Sequence, residues 1–549
     1  MSDGPDPPSR VADAVLRVHA DTLAEKAEVV FEPGPRVLAR LGDSLLRVAE
    51  ANQVPLASGC RMGMCGADPV RVLAGEEHLS PPTGAERATL QRLGLPAGCR
   101  MACTARVRGP VTVVPRVDLE AERAPAAGPA PGAGGPAAPA RARATDVRRV
   151  VVVGTGVAGV TAAVELRKLD PAVEIAVLGA EPYDFYNRMI INGLVAESAA
   201  IASLYLLPKD WASSRRIHYS RGVAARAIDP RARRVDTDEG TALSYDRLVL
   251  ATGARSRVPP IDGFGLPGSF VLRTIDDAVA IQQHVRRERC RTAVIVGGGL
   301  LGLETAASLG AVDVRAFVVD RAPWPLSRHL DQPGGALLWQ MLSDLGITVI
   351  PRAQARRLLG AERVRGVELL DGQVLEADLC LVATGIQPDT ALAAAAGLAV
   401  GRGVIVDDRL LTSDPHVFAV GDLAEHRGRV YGLWTAGVEQ ATVAAVNVLG
   451  GDARYRGVIP PTVLKVAGID LLSVGEIAAR GDDGAELRVE DGHARRYRKL
   501  VLAAGRLRGA IAIGHPELAD SIAAAVEAGR DVTPVLPVLA RGDWSALGS

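Results

Sequence analysis

"RRVVVVGTGVAGVTAAVELRKL", residues 148–169, is the stretch that decides the fold. Its run of valines suits a strand buried on both faces of a parallel sheet, and the Ala-, Val- and Leu-rich run beyond the glycines suits a packed helix. Between them stands G-x-G-x-x-G, as Gly154, Gly156 and Gly159. In that pattern the first glycine makes the tight turn, the second lets backbone approach a pyrophosphate, and the third lets helix pack on strand. The pyrophosphate then meets the free N–H groups and the positive dipole end of the helix. One such pattern is a weak signal, but it recurs in "RTAVIVGGGLLGLETAASLG", residues 291–310, as Gly297, Gly299 and Gly302. Two copies in strand–turn–helix context predict two dinucleotide sites in an α/β body.

Composition bounds the rest. The 549 residues exceed a domain of about 100–200 residues, so several units are expected. Lys and Arg number 63 and so do Asp and Glu, and this balance removes the electrostatic case for nucleic acid or an anionic membrane as a partner. The opening "MSDGPDPPSRVADAVLRVHADT" lacks the apolar stretch of a secretory signal, and no apolar run reaches the ~20 residues of a membrane span. A cytoplasmic chain is expected, in which clustered cysteines read as metal ligands or redox groups rather than structural disulfides. From Ala121 to Ala144 the sequence is nearly all Ala, Pro, Gly and Arg, the composition of a flexible linker.

The residues beyond each glycine turn set the nucleotide. Glu181, after the strand that succeeds Gly159, lies at about the spacing of the acid that holds a ribose. Asp320, closing "VRAFVVDRAP", can accept from a ribose 2′-hydroxyl and favours NADH, whereas Arg321 beside it can instead meet the 2′-phosphate of NADPH. Further on come "YDRLVLATGA" (residues 245–254), "CLVATGIQPD" (380–389) and "TSDPHVFAVGDLAE" (412–425). Together with the two glycine turns these resemble the two-dinucleotide-binding flavoprotein reductases. The resemblance implies that the first unit binds FAD with Ala251, Thr252, Gly253 and Asp422, and that an NAD(P)H-binding unit is inserted within it.

"YNRMIINGLVAE", "YGLWTAGVEQATVAAVNVLGG" and "YRGVIPPTVLKVAGIDLLSVGE" look more narrowly like the flavin portion of assimilatory NADH-dependent nitrite reductases and of rubredoxin and ferredoxin reductases. That likeness implies Arg188 near the cofactor phosphates, a helix after Gly432 whose N-terminus points at the flavin, and Trp434 among the cofactor-binding residues. It also implies Glu304 near the nicotinamide, although a carboxylate at a helix start also simply complements the dipole. No C-x-x-x-x-C comes after the first glycine motif, which excludes disulfide-reductase chemistry, and no sirohaem module is present, which makes nitrite an unsuitable substrate for this chain alone.

In the N-terminal part, residues 28–57 read as a hairpin and then a helix with Asp43 as N-cap. The glycine-rich loop "SGCRMGMCGADPV" (58–70) and the distant "AGCRMACTARVRGPVTVV" (97–114) come next. This order resembles plant-type 2Fe-2S ferredoxins of β-grasp fold, whose signature is C-x4-C-x2-C with a distant fourth cysteine. Cys60, Cys65 and Cys103 match three ligands, and Asp68 stands at the remaining position. Either its carboxylate or the thiolate of Cys99 completes the set, and a module that has lost its cluster is the third reading. Cys290 and Cys380, beside apolar strands, read as core residues.

The organisation expected is therefore α/β: a β-grasp ferredoxin-like domain (1–120), a linker (121–147), an FAD-binding domain (148–270 and 376–451), an inserted NAD(P)H-binding domain (271–375) and a small C-terminal α/β domain (452–549). In the resembling families that last domain is a cap or a homodimer interface. The expected activity is electron transfer from NADH through FAD to the chain's own 2Fe-2S cluster and on to an acceptor protein, such as an oxygenase or reductase component. Two other readings stay open: an FAD enzyme reducing a small acceptor beside an inactive cluster module, and a non-catalytic NADH-responsive reporter.

Overall fold

The computed structural model describes residues 26–56, 63, 65–115, 147–457, 462–481, 483–515 and 518–547, so Cys60 and residues 121–146 of the expected linker lie outside the described residues. The N-terminal unit is a five-stranded sheet of β1 (Lys26–Phe31), β2 (Arg36–Arg40), β3 (Pro69–Ala74), β4 (Cys99–Met101) and β5 (Val111–Val114) in the order β2-β1-β5-β3-β4. Strands β1 and β2 form the expected hairpin, while β1 and β5 run parallel. The sheet packs Val29, Phe31 and Val113 against Leu45 and Leu46 of helix α1 (Leu45–Ala51). The cap of α1 is Ser44, not Asp43: the Ser44 hydroxyl accepts from Arg47 N at 3.3 Å. Asp43 is held one residue earlier in extended pairing, its carbonyl accepting from Val107 N at 2.9 Å, and its carboxylate pairs with Arg47 at 3.2 Å. Helix α2 (Gly84–Leu93) starts with a capping box between Thr83 and Glu86.

The body repeats one plan twice. Strand β6 (Arg149–Val153), helix α3 (Val157–Leu169) and β7 (Glu174–Gly179) continue to β8 (Ile217–Arg221) and β9 (Arg247–Leu250). These pair in parallel, with Val417–Ala419 returning to the edge, in the order Val417–Ala419, β9, β6, β7, β8. The valines of β6 are buried on both faces, as their run implied.

The second sheet is β10 (Ser269–Val271), β11 (Thr292–Val296), β12 (Arg315–Val319), β13 (Thr348–Ile350) and β14 (Leu379–Val382), again parallel, in the order β10-β14-β11-β12-β13. Helices α4 (Ile275–Glu288), α5 (Leu300–Gly310) and α6 (Gln332–Asp344) flank it. The unit is inserted between β9 and Val417–Ala419 and takes in strands on both sides of 271–375. Where the chain leaves and returns, Ala254–Ser256 and Ile386–Pro388 pair antiparallel. Helix α7 (Trp434–Val448) packs on α3.

The C-terminal unit is an antiparallel sheet of β15 (Thr462–Val466), β16 (Ile469–Gly475), β17 (Gly484–Asp491), β18 (Arg496–Ala503) and β19 (Arg506–Ile513), backed by α8 (Ala519–Glu527). The hairpin and helix read from "KLVLAAGRLRGAIAIG" and "ELADSIAAAVEAG" are β18–β19 and α8. Lys499 of β18, 1% exposed, reaches Asp331, the N-cap of α6, at 3.0 Å and so ties this sheet to the second unit. No helix among the described residues is long and apolar enough to cross a membrane.

Candidate functional site

The first glycine turn opens a cavity of about 1630 Å³. Gly154 adopts φ +124°, which favours glycine, and a Cβ at Gly159 would stand 1.9 Å from the Gly154 carbonyl, so helix and strand touch there. A Cβ at Gly156 would meet nothing within 4 Å: that side of the turn faces the cavity. Gly156 is also the N-cap of α3 and offers no side-chain cap, so the first-turn N–H groups are left for a ligand. Ala251, Thr252 and Gly253 back the turn from the end of β9, and a Cβ at Gly154 would stand 2.1 Å from Ala251 O.

Charged groups converge on the same space. Glu181 accepts from Arg188 and from the Tyr186 hydroxyl, each at 2.6 Å. Burial pushes the Tyr186 phenol upward, so it stays protonated and donates. The Arg188 guanidinium lies 4.8 Å from the Tyr186 ring centre, a cation–π contact. Across the cavity Asp422 pairs with Arg273 at 2.7 Å, and Arg188 donates to the Arg273 carbonyl at 2.6 Å. Trp434 begins α7, stacks on Phe185 at 5.9 Å, and its indole N–H is buried without a partner among the described residues, as is the Thr435 hydroxyl beside it. An open pyrophosphate cradle, a free helix start and orphaned donors on the wall fit a large dinucleotide such as FAD.

The second turn repeats the geometry: Gly297 has φ +120°, and a Cβ at Gly302 would stand 2.0 Å from its carbonyl. Gly299 caps α5 without a side chain, and a Cβ there meets nothing within 4 Å. The Asp320 carboxylate, past the end of β12, accepts from Gly298 N at 2.5 Å and from Ala322 N at 2.9 Å, which holds it beside the turn. Free helix-start N–H donors beside a carboxylate acceptor fit a second nucleotide. Gly297, Gly299, Gly302 and Asp320 stand outside the lining of the large cavity, whereas Leu300, Leu301 and Glu304 of α5 belong to it. One Glu304 oxygen accepts from Ala467 N at 3.3 Å, in the turn between β15 and β16.

"CLVATGIQPD" divides between the two sites. A Cβ at Gly297 would stand 2.5 Å from Ala383 O, so this second Ala-Thr-Gly backs the second glycine turn as the first backs its own. Only its end, Asp389, lines the large cavity, and Asp389 pairs with Arg255 at 2.9 Å. The repeated Ala-Thr-Gly in the sequence was the available signal for this symmetry. Arg273 carried none, because its role rests on a partner 149 residues away.

In the N-terminal unit Cys65 and Cys103 are buried on facing loops, and Gly63 N donates to Cys103 Sγ at 3.2 Å. Asp68 is 1% exposed; its carboxylate accepts from Cys103 N at 2.5 Å and its carbonyl from Ala102 N at 2.9 Å. Cys99 lies buried in β4. Among the described residues no three His, Cys, Asp or Glu side chains surround one point, and a two-iron cluster with protein donors divided between its irons does not need them to. Buried thiols on glycine-bearing loops with an N–H aimed at sulfur fit such a cluster. Cys290 and Cys380 are core residues as expected, and burial pushes their thiols up to about 11 and about 12.

Fold and cavity together define the class: a two-dinucleotide flavoprotein oxidoreductase carrying an N-terminal iron–sulfur module. The chain belongs to the pyridine nucleotide-disulphide oxidoreductase family, whose model matches residues 148–445. Residues 32–108 match the 2Fe-2S iron–sulfur cluster binding domain and residues 460–530 the rubredoxin NAD+ reductase C-terminal domain. FAD, NAD(P)H and a 2Fe-2S cluster are the cofactors of this set of domains. The chain is 34% identical over 372 residues to the assimilatory nitrate reductase electron transfer subunit of Bacillus subtilis (strain 168), covering 67% of this chain and 48% of that one. It is 33% identical over 344 residues to the ferredoxin–NAD(+) reductase component of the biphenyl dioxygenase system of Paraburkholderia xenovorans (strain LB400), covering 61% and 84%. The ferredoxin reductase for the CYP199A2 system of Rhodopseudomonas palustris superposes with a TM-score of 0.62 at 30% identity, over 66% of this chain and 91% of that one. The chain spans about half the length of the Bacillus relatives it matches.

Proposed function

We propose that the protein is an NADH-dependent reductase that passes electrons through FAD to its own 2Fe-2S cluster and on to an acceptor protein. One observation carries the reading: the cavity that begins at the first glycine turn is bounded by α5 of the second nucleotide unit and by Glu50 of the iron–sulfur module. All three redox units therefore border one space.

Bound here, FAD would supply hydride acceptance from a nicotinamide and one-electron release, as a one-electron cluster requires. Gly154, Gly156 and the start of α3 cradle its pyrophosphate, with Gly159 setting the close helix. Glu181, held by Arg188, takes the ribose; Asp422, oriented by Arg273, takes the ribityl region. Ala251, Thr252 and Gly253 form the wall behind. Trp434 and Thr435 offer their buried donors, and the positive end of α7 favours negative charge on the flavin.

Gly297, Gly299 and Gly302 play the corresponding part for NAD(P)H. Asp320 selects NADH by accepting from the ribose hydroxyls, and Glu304 borders the nicotinamide. Cys60, Cys65 and Cys103 hold the cluster with Asp68, whose placement against Cys103 favours it over Cys99. The acceptor is a separate protein component, in keeping with the name of the Bacillus electron transfer subunit.

The test is anaerobic titration with NADH, monitored by visible absorption and electron paramagnetic resonance. Flavin bleaching accompanied by a reduced-cluster signal is expected. Bleaching with no cluster signal would overturn the proposal.

A further inference from the structure

Among the described residues, Arg47, Glu50 and Leu93 of the N-terminal module lie against the body, on the side where its electrons would enter. Arg47 of α1 reaches Asp470, at the start of β16, at 3.4 Å. One turn further along α1, Glu50 lines the flavin-side cavity. At the end of α2, Leu93 is 1% exposed and joins the apolar core that also contains the valines of β6 and the helices around them, with Leu95 packed alongside. Leu93 faces the cysteine loop as well: a Cβ at Gly66 would stand 2.9 Å from its methyl. One side chain thus lies between the cluster loop and the core of the flavin unit. Residues 467–470 are gripped from the other side by Glu304 of α5, through Ala467 N.

Resting on the function proposed above, we infer that the turn between β15 and β16 is the docking seat of the chain's own iron–sulfur module, latched by Arg47 and Asp470, and that this docked arrangement is the one in which the cluster receives electrons. The occupant is the module itself, since it is seated there. The latch is partly exposed, with side chains 35% and 25% accessible, so it is a weak, screened pair. A weak pair suffices when both partners share a chain, because tethering raises the local concentration to the order of millimolar. A reversible latch also frees the module to meet its acceptor.

The test uses the full-length holoenzyme and the variants Arg47→Glu, Asp470→Arg and their combination, which restores opposite charges. Amide hydrogen exchange over residues 45–51 reports docking without any turnover. Anaerobic stopped-flow separates flavin bleaching by NADH from cluster reduction. Each single variant is expected to raise exchange in α1 and slow cluster reduction by about fivefold at low salt, with flavin bleaching unchanged. The double variant should recover both. Single variants that exchange and reduce like wild type would overturn the latch, as would a double variant no better than the singles. A wild-type cluster that NADH never reduces, with α1 still protected, would instead sink the proposed function and leave the docking standing.

Discussion

Glu86→Ala should unseat the turn that carries Cys103. Glu86 is fully buried; its carboxylate accepts from Arg100 Nε at 2.7 Å and Nη2 at 3.2 Å, from Met101 N at 2.9 Å and from Thr104 Oγ1 at 2.9 Å. These donors flank Cys103 on both sides. Arg100 is itself only 2% exposed, so removing the carboxylate leaves a buried guanidinium without its counter-charge, at a cost of about 3–5 kcal/mol. That is a large part of the ~5–15 kcal/mol that stabilises a domain. With a urea dependence of about 2 kcal/mol per molar, a loss of about 4 kcal/mol moves the midpoint by about 2 M. The assay is urea unfolding of the holoprotein read at the cluster's visible absorption, with iron content measured at zero urea. Combining Glu86→Leu with Arg100→Met should recover most of the loss, because it leaves no buried charge. A midpoint for Glu86→Ala within about 0.3 M of wild type would refute the argument that this pair holds the turn.

Gly156→Val should abolish flavin binding while leaving the fold intact, since its Cβ meets no protein atom; Gly159→Ala should instead destabilise the unit, its Cβ falling 1.9 Å from Gly154 O. Flavin content and thermal melting distinguish the two, and a fully flavinylated Gly156→Val protein would remove the turn from the site. Asp320→Ser should weaken NADH by about 1–3 kcal/mol, read as KM, for one charged hydrogen bond; a wild type that uses NADPH equally well would transfer specificity to Arg321. Asp68→Ala should lower iron content or alter the reduced cluster's resonance, whereas Cys99→Ala should leave both unchanged, and the reverse result would make Cys99 the ligand.

Local order made much of this chain legible from its residues. A glycine turn, a buried valine strand and a capping residue act within a few positions, so two nucleotide units, the hairpin before α1 and the hairpin before α8 were readable in one dimension. The exception at α1 is instructive: Asp43 is as good a cap as Ser44 by type, and a backbone bond from Val107, far along the chain, decided between them. The insertion of one nucleotide unit in the other entered only through resemblance, because strand order is a property of pairing rather than of any segment.

The residues that tune the sites belong to the tertiary structure alone. Arg273 meets Asp422, Glu86 meets Arg100, Lys499 meets Asp331 and Arg47 meets Asp470, each across a separation that no periodicity encodes. A charge in a sequence shows only its sign. Whether it is buried, paired or poised at a cavity depends on which remote surface the fold brings against it, and burial sets what the charge is worth.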